Sequence, residues 1–154
     1  MPILYNDAYK TEEPVDYWSR TVRDIGKRVF QRPQDADIFE RQMRHESGGY
    51  NELILYGNRR GEAGELGGPQ YTPAFAKDRR VTPGVNPYKD FLDAATVMKS
   101  YMDEYQDWSK ALSAYNAGKY ATDTAIRQGA DKWMDYIPAS TRRRYIPGIL
   151  SQSY

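Results

Sequence analysis

Residues 37–51 run Asp37-Ile38-Phe39-Glu40-Arg41-Gln42-Met43-Arg44-His45-Glu46-Ser47-Gly48-Gly49-Tyr50-Asn51, and the architecture turns on this segment. Phe39, Met43 and Glu46 stand four and three apart, the spacing of one helix face. Asp37, with Glu40 three residues on, reads as a capping box that opens the helix. Gly48-Gly49 is a strong stop. The helix therefore closes on a carboxylate in its last turn. The negative end of the helix dipole disfavours a charge there, and Phe39 and Met43 would strip water from it. Both effects raise a carboxyl pKa, so Glu46 reads as a candidate general acid. The plainer alternative is an exposed glutamate at a frayed helix end.

On either side the pattern stays helical. Val15, Trp18, Val22, Ile25 and Val29 recur at three and four residues, with Thr11 as a cap and Arg32-Pro33 as the break. Gly57 to Gly68 reads as a long loop or short irregular hairpin. Thr72-Pro73 opens a short helix to about Asp78, and Val81 to Pro87 is a second loop. Phe91, Ala95, Met98, Met102 and Tyr105 predict a long helix over 88–105. Asp107 caps another, with Trp108, Ala111, Leu112 and Tyr115 inward and Gly118 as its stop. Shorter helices follow over 120–128, 131–136 and 141–146, the last ended by Pro147-Gly148. The class is all-α, with at most a minor hairpin. The expected organisation is an N-terminal helical extension over 1–34 and one compact domain over 35–154.

Composition narrows the function. The chain has 154 residues and a mass of 17.8 kDa, room for one domain. Lys and Arg number 22 against 21 Asp and Glu, a net charge of +1. No global charge recruits nucleic acid, and none is expected as a partner. There is no cysteine and one histidine, which excludes thiolate chemistry and makes a His-rich metal centre a poor fit. No metal and no cofactor are expected. No apolar run approaches the roughly 20 residues that cross a bilayer. Residues 1–10 carry acids and polar groups where an export signal would be apolar. His45 adjoins Glu46, but consecutive helix residues do not face each other, so it reads as solvated. The glycines at 61–68 lack the Lys-Ser or Lys-Thr of a phosphate loop. Arg142, Arg143 and Arg144 form a basic run that reads as solvated helix surface or as attraction to an acidic cell envelope. The tyrosines Tyr50, Tyr71 and Tyr115 are candidates for stacking on sugars.

Four segments stand in a telling order. Glu46-Ser47 is followed by Gly64-Glu65-Leu66-Gly67-Gly68-Pro69-Gln70, then Ala114-Tyr115-Asn116-Ala117-Gly118, then Pro138-Ala139-Ser140-Thr141-Arg142. This series resembles the soluble, slt-type lytic transglycosylases, which share the lysozyme-like fold. The resemblance spans about residues 35–150. It implies Glu46 as the single catalytic acid and base. It implies Ser47 and Gln70 along a glycan groove, Tyr115 orienting the glutamate, and Asn116 holding its own segment or the substrate. The departures are local. Gln70 lies 24 positions beyond Glu46, further than in the family. Glu65 replaces an alanine, Gly68-Pro69 replace Leu-Met, Ser140 replaces a glutamate, and Tyr145 falls one residue late.

The reaction so implied is cleavage of the β-1,4 bond between N-acetylmuramic acid and N-acetylglucosamine in peptidoglycan, leaving 1,6-anhydro ends. Two alternatives stay open. Glu65 as a second carboxylate would give a hydrolysing muramidase. A weakly active member would be a structural adaptor of a virion or secretion machine. With a substrate outside the cytoplasm and no export signal expected, the anticipated setting is a phage virion that delivers the enzyme to the cell wall, with other virion or tail proteins as partners.

Overall fold

The computed structural model describes residues 14–151, so the Thr11 cap lies outside the described residues. All regular structure among them is helical, and the one β feature is an isolated antiparallel bridge between Leu66 and Tyr71. The described residues fall into two compact units, one ending at Leu92 and the other beginning at Asp93.

The first unit opens with α1 (Pro14–Val29). Val22 and Ile25, from its expected apolar face, are buried, while Val15 is exposed at its start. Trp18 sets its ring 5.6 Å from Phe91. The next helix, α2 (Pro33–Glu46), begins four residues before Asp37. Arg32 is extended, at φ −99° and ψ 136°, and Pro33 takes the first helical turn, where its missing N–H costs nothing. The proline that ends one helix therefore opens the next. This corrects the capping box: Asp37 lies inside α2 and binds the Arg23 Nε of α1 at 3.0 Å. Glu40 points into the protein and is fully buried. The helices approach closely at Gly26, where a Cβ would lie 2.9 Å from the Ala36 Cα. The N-terminal helix is thus packed on the helix that carries Glu46.

A short helix, α3 (Glu52–Leu55), follows the turn after Glu46. Asn51 caps it, its Oδ1 accepting from the Leu53 N–H at 2.9 Å. One turn is too short to show a period, so the sequence did not announce it. The 57–72 stretch is a loop with the tight reversal anticipated: Leu66 and Tyr71 exchange N–H···O bonds of 2.8 and 3.1 Å. Gly68 sits where a Cβ would come within 2.4 Å of the Phe91 ring, so no side chain fits. Thr72 caps α4 (Pro73–Arg79), its Oγ1 accepting from the Phe75 N–H at 3.2 Å. The long helix α5 (Pro87–Tyr105) agrees with the apolar spacing.

In the second unit, Asp107 caps α6 (Trp108–Asn116) as expected, accepting from the Ser109 N–H at 2.9 Å. Trp108, Ala111 and Leu112 are buried, Tyr115 only half so. Gly118, at φ 101°, serves as the N-cap of α7 (Lys119–Gly129). A 3-10 segment follows over Ala130–Tyr136. The C-terminal region departs from expectation. Pro147-Gly148 do not end a helix; they lie inside α8 (Ile146–Leu150). A π-helical turn over Thr141–Tyr145 precedes it, with the Ile146 N–H bonded back to the Thr141 carbonyl. Pro147 then falls in the first turn of α8, where it needs no donor. The wider turn takes up one extra residue and buries Tyr145, the tyrosine that stands one position late against the family pattern.

Candidate active site

Glu46 is the last residue of α2 and is half-buried. Met43, three residues earlier, and Phe39, seven earlier, are fully buried. The carboxylate thus stands at the negative end of the helix, on the side that leads into the core. Its neighbour His45 is exposed overall, yet desolvation of its ring holds its pKa below the ordinary 6.5.

The chain behind Glu46 is tightly specified. Gly48, Gly49 and Tyr50 take left-handed φ of 61°, 77° and 61°. Ser47 is fully buried. Its hydroxyl donates to the Met43 carbonyl at 2.7 Å and accepts from the Tyr50 N–H at 2.9 Å. The side chain expected along a groove thus faces inward and ties the turn to the helix. Tyr50, a candidate for sugar stacking, is 1% exposed, and Tyr71 is 2% exposed. Both are core residues, which corrects that reading. The Tyr50 hydroxyl donates to the Glu40 carboxylate at 2.7 Å. Arg44 holds both oxygens of that carboxylate, with Nε 3.0 Å from Oε2 and Nη2 on Oε1. Arg23 Nη2 of α1 lies 3.5 Å from Oε1. Sequence reasoning read Glu40 as a cap and missed this network. The signal available was an acid four residues before an arginine and three before the apolar Met43.

Two further candidates converge in the 61–70 loop. A Cβ on Gly61 would lie 1.7 Å from Glu65 Oε2 and 2.8 Å from Gln70 Oε1. Both side chains therefore fold over the same glycine. Glu65 Oε2 also lies 3.3 Å from the Ala63 N–H, and Gln70 Nε2 donates to the Gly67 carbonyl at 2.9 Å. Gln70 is half-buried and left-handed, at φ 56°. The Glu65 carboxylate closes its own loop, and both side chains keep part of their surface exposed.

In the second unit, Tyr115 is half-buried at the end of α6. Asn116 accepts at Oδ1 from the Thr141 hydroxyl at 2.7 Å, which ties α6 to the π-helical turn. A cavity of about 390 Å³ lies among Glu104, Tyr105, Lys110, Asp123, Ile126 and Arg127. Beside it Lys119 bridges Glu104 at 2.9 Å and Asp123 at 2.8 Å. Burial and the hydrogen bond to Asp123 raise the pKa of Tyr105. Among the described residues no group of His, Cys, Asp and Glu side chains is arranged to hold a metal, and no helix is long and apolar enough to cross a membrane.

A family model described as the transglycosylase SLT domain matches residues 43–136. The matched span contains Glu46, Ser47, Glu65, Gln70, Tyr115 and Asn116, and leaves α1 and most of α2 outside. No curated protein and no solved structure matches the chain.

Proposed function

The chain belongs to the transglycosylase SLT domain family, a family of lytic transglycosylases that act on peptidoglycan and have a lysozyme-like fold, and from that premise we propose that Glu46 is its catalytic acid and base. The observation that carries the reading is the placement of Glu46: a half-buried carboxylate at the C-terminal end of α2, inside the matched span, over buried Met43 and Phe39. A half-buried carboxyl group at the end of a helix is the kind of group that such a step calls for.

In that step Glu46 gives its proton to the oxygen of the β-1,4 bond between N-acetylmuramic acid and N-acetylglucosamine. The leaving sugar departs as an alcohol. The carboxylate so formed takes the proton of the muramic C6 hydroxyl, whose oxygen closes on C1. The acid is restored and the product carries a 1,6-anhydro end. An internal nucleophile supplies high effective molarity, so one carboxylate serves where glycosidases usually use two. Gln70, Tyr115 and Asn116 are proposed to contact the glycan. Ser47 contributes by fixing the turn, since its hydroxyl is sealed inside.

The end chemistry of the products tests the reaction. Digestion of purified peptidoglycan followed by mass spectrometry is expected to give anhydro ends. Reducing ends would transfer the role of second carboxylate to Glu65 and make the enzyme a hydrolase. Delivery to the cell wall from a phage virion is part of the proposal. It rests on the location of the substrate and is checked by searching for the chain in purified particles.

A further inference from the structure

We propose that Tyr50, Glu40 and the Arg23 of α1 form a clamp that positions Glu46. Its kinetic consequence rests on the reading of Glu46 above; its structural consequence does not.

The chain reverses immediately after Glu46 through residues with φ of 61°, 77° and 61°. Two are glycines, for which that region is open. The third is Tyr50, for which it is strained, and such strain persists only where the surroundings over-determine it. Here they do so from three sides. The ring is buried edge-on against Phe91, with centroids 5.8 Å apart at 81°. The N–H is bonded to Ser47 Oγ at 2.9 Å, and Ser47 is bonded to Met43 O at 2.7 Å. The hydroxyl lies 2.7 Å from Glu40 Oε2 and 3.2 Å from the Glu40 carbonyl. The turn that follows Glu46 is thus pinned to α2 at both Ser47 and Tyr50.

The anchor of the clamp is a fully buried carboxylate with two guanidinium groups and a phenol around it. Burying ions is costly, and an apolar set of the same volume often serves stability equally well. What directional bonds add is a fixed geometry. Arg23 gives this geometry a source outside the SLT match: it belongs to α1, and Glu40 also precedes residue 43. Residues 14–42 therefore bear on the catalytic turn through one ion pair and one phenol. Tyr50, at 1% exposed, and Glu40, at 0%, are too buried to touch substrate, and Arg23 acts through Glu40. They are positioning residues.

The test is Tyr50→Phe in the full chain, which keeps the ring and deletes the hydroxyl. Phe30→Leu serves as the control: Phe30 is a buried core residue packed 5.8 Å from Phe39, and its replacement lowers stability while leaving every group of the clamp in place. On peptidoglycan, kcat is expected to fall roughly ten- to a hundredfold in Tyr50→Phe, with KM within about twofold of wild type, as a small misplacement of a proton donor predicts. Phe30→Leu is expected to keep kcat. Arg23→Gln is expected to lie between them. Amide exchange supplies an activity-free readout. The Gly49 N–H, bonded to Arg44 O at 2.8 Å, and the Asn51 N–H, bonded to Ser47 O at 3.0 Å, are expected to exchange about tenfold faster in Tyr50→Phe only. Unchanged kcat, an equal fall in Phe30→Leu, or unchanged exchange would each overturn the clamp. Should wild type fail to cleave peptidoglycan, the function proposed above falls and exchange alone decides the clamp. Should Tyr50→Phe fail to fold, Glu40→Gln carries the same readouts with the same expected directions.

Discussion

At the residue scale, the chemistry of the first unit is a contrast between two glutamates on one helix. Glu46 is half-buried at the end of α2. Glu40 is fully buried and neutralised by Arg44 and Arg23. Glu40→Ala removes the carboxylate and leaves two guanidinium groups behind. Breaking a buried pair costs about 3–5 kcal/mol. The arginine side chains are 32% and 31% exposed, so they regain some water, and the expected loss lies near the bottom of that range, about 3 kcal/mol by denaturant titration. Tyr50 gives a pH signature. Burial, foremost, and the neighbouring Glu40 charge push its hydroxyl far above the ordinary value of 10. Below that value both folded and unfolded chains keep the proton, and stability is unaffected. Above it the unfolded chain releases the proton while the folded chain holds it, so stability falls as pH rises. The advantage of wild type over Tyr50→Phe is therefore expected to shrink as pH rises through about 10 and beyond. Tyr105, raised for similar reasons, is common to both proteins and cancels.

At the element scale, the decisive packing is α1 on α2. Gly26 lets the helices meet, and a Cβ there would lie 2.9 Å from the Ala36 Cα and 3.0 Å from its Cβ. Gly26→Ala gains about 1 kcal/mol of helix propensity but forces an overpacked contact of about 1–3 kcal/mol. A net loss of roughly 1 kcal/mol in thermal or denaturant unfolding is expected; a gain in stability would mean that α1 yields to its neighbour. The elements legible in the sequence were those with a long apolar period or a side-chain cap: α1, α5, and the helices capped by Thr72 and Asp107. Illegible were features set by tertiary context. The start of α2 passed from Asp37 to Pro33 because a proline breaks one helix and opens the next equally well. The π-helical turn that accommodates Pro147 leaves no periodic trace. The place of Glu46 at the end of α2 was legible because Gly48-Gly49 mark where the helix stops. Ser47 and Tyr50 were read outward because their motif is short and polar, whereas their hydrogen bonds to Met43 and Glu40 close inward. No local pattern announces such bonds.

At the scale of the whole molecule, the near-neutral charge of +1 leaves recognition to local groups, and the SLT match sets the substrate class as peptidoglycan. The matched span crosses from the unit that ends at Leu92 into the one that begins at Asp93. Ahead of the match, α1 brings Arg23 to within 3.5 Å of the Glu40 carboxylate. The central claim is that a single carboxyl group performs both proton transfers. It is tested most directly by comparing Glu46→Gln with wild type on purified peptidoglycan, counting anhydro-ended fragments by mass spectrometry. The glutamine keeps the size and part of the hydrogen bonding but has no proton to give and none to take back. Release is expected to fall by at least about a thousandfold, near 4 kcal/mol of barrier, with an unchanged melting profile. Anhydro fragments released by the folded variant at anything close to the wild-type rate would contradict the account.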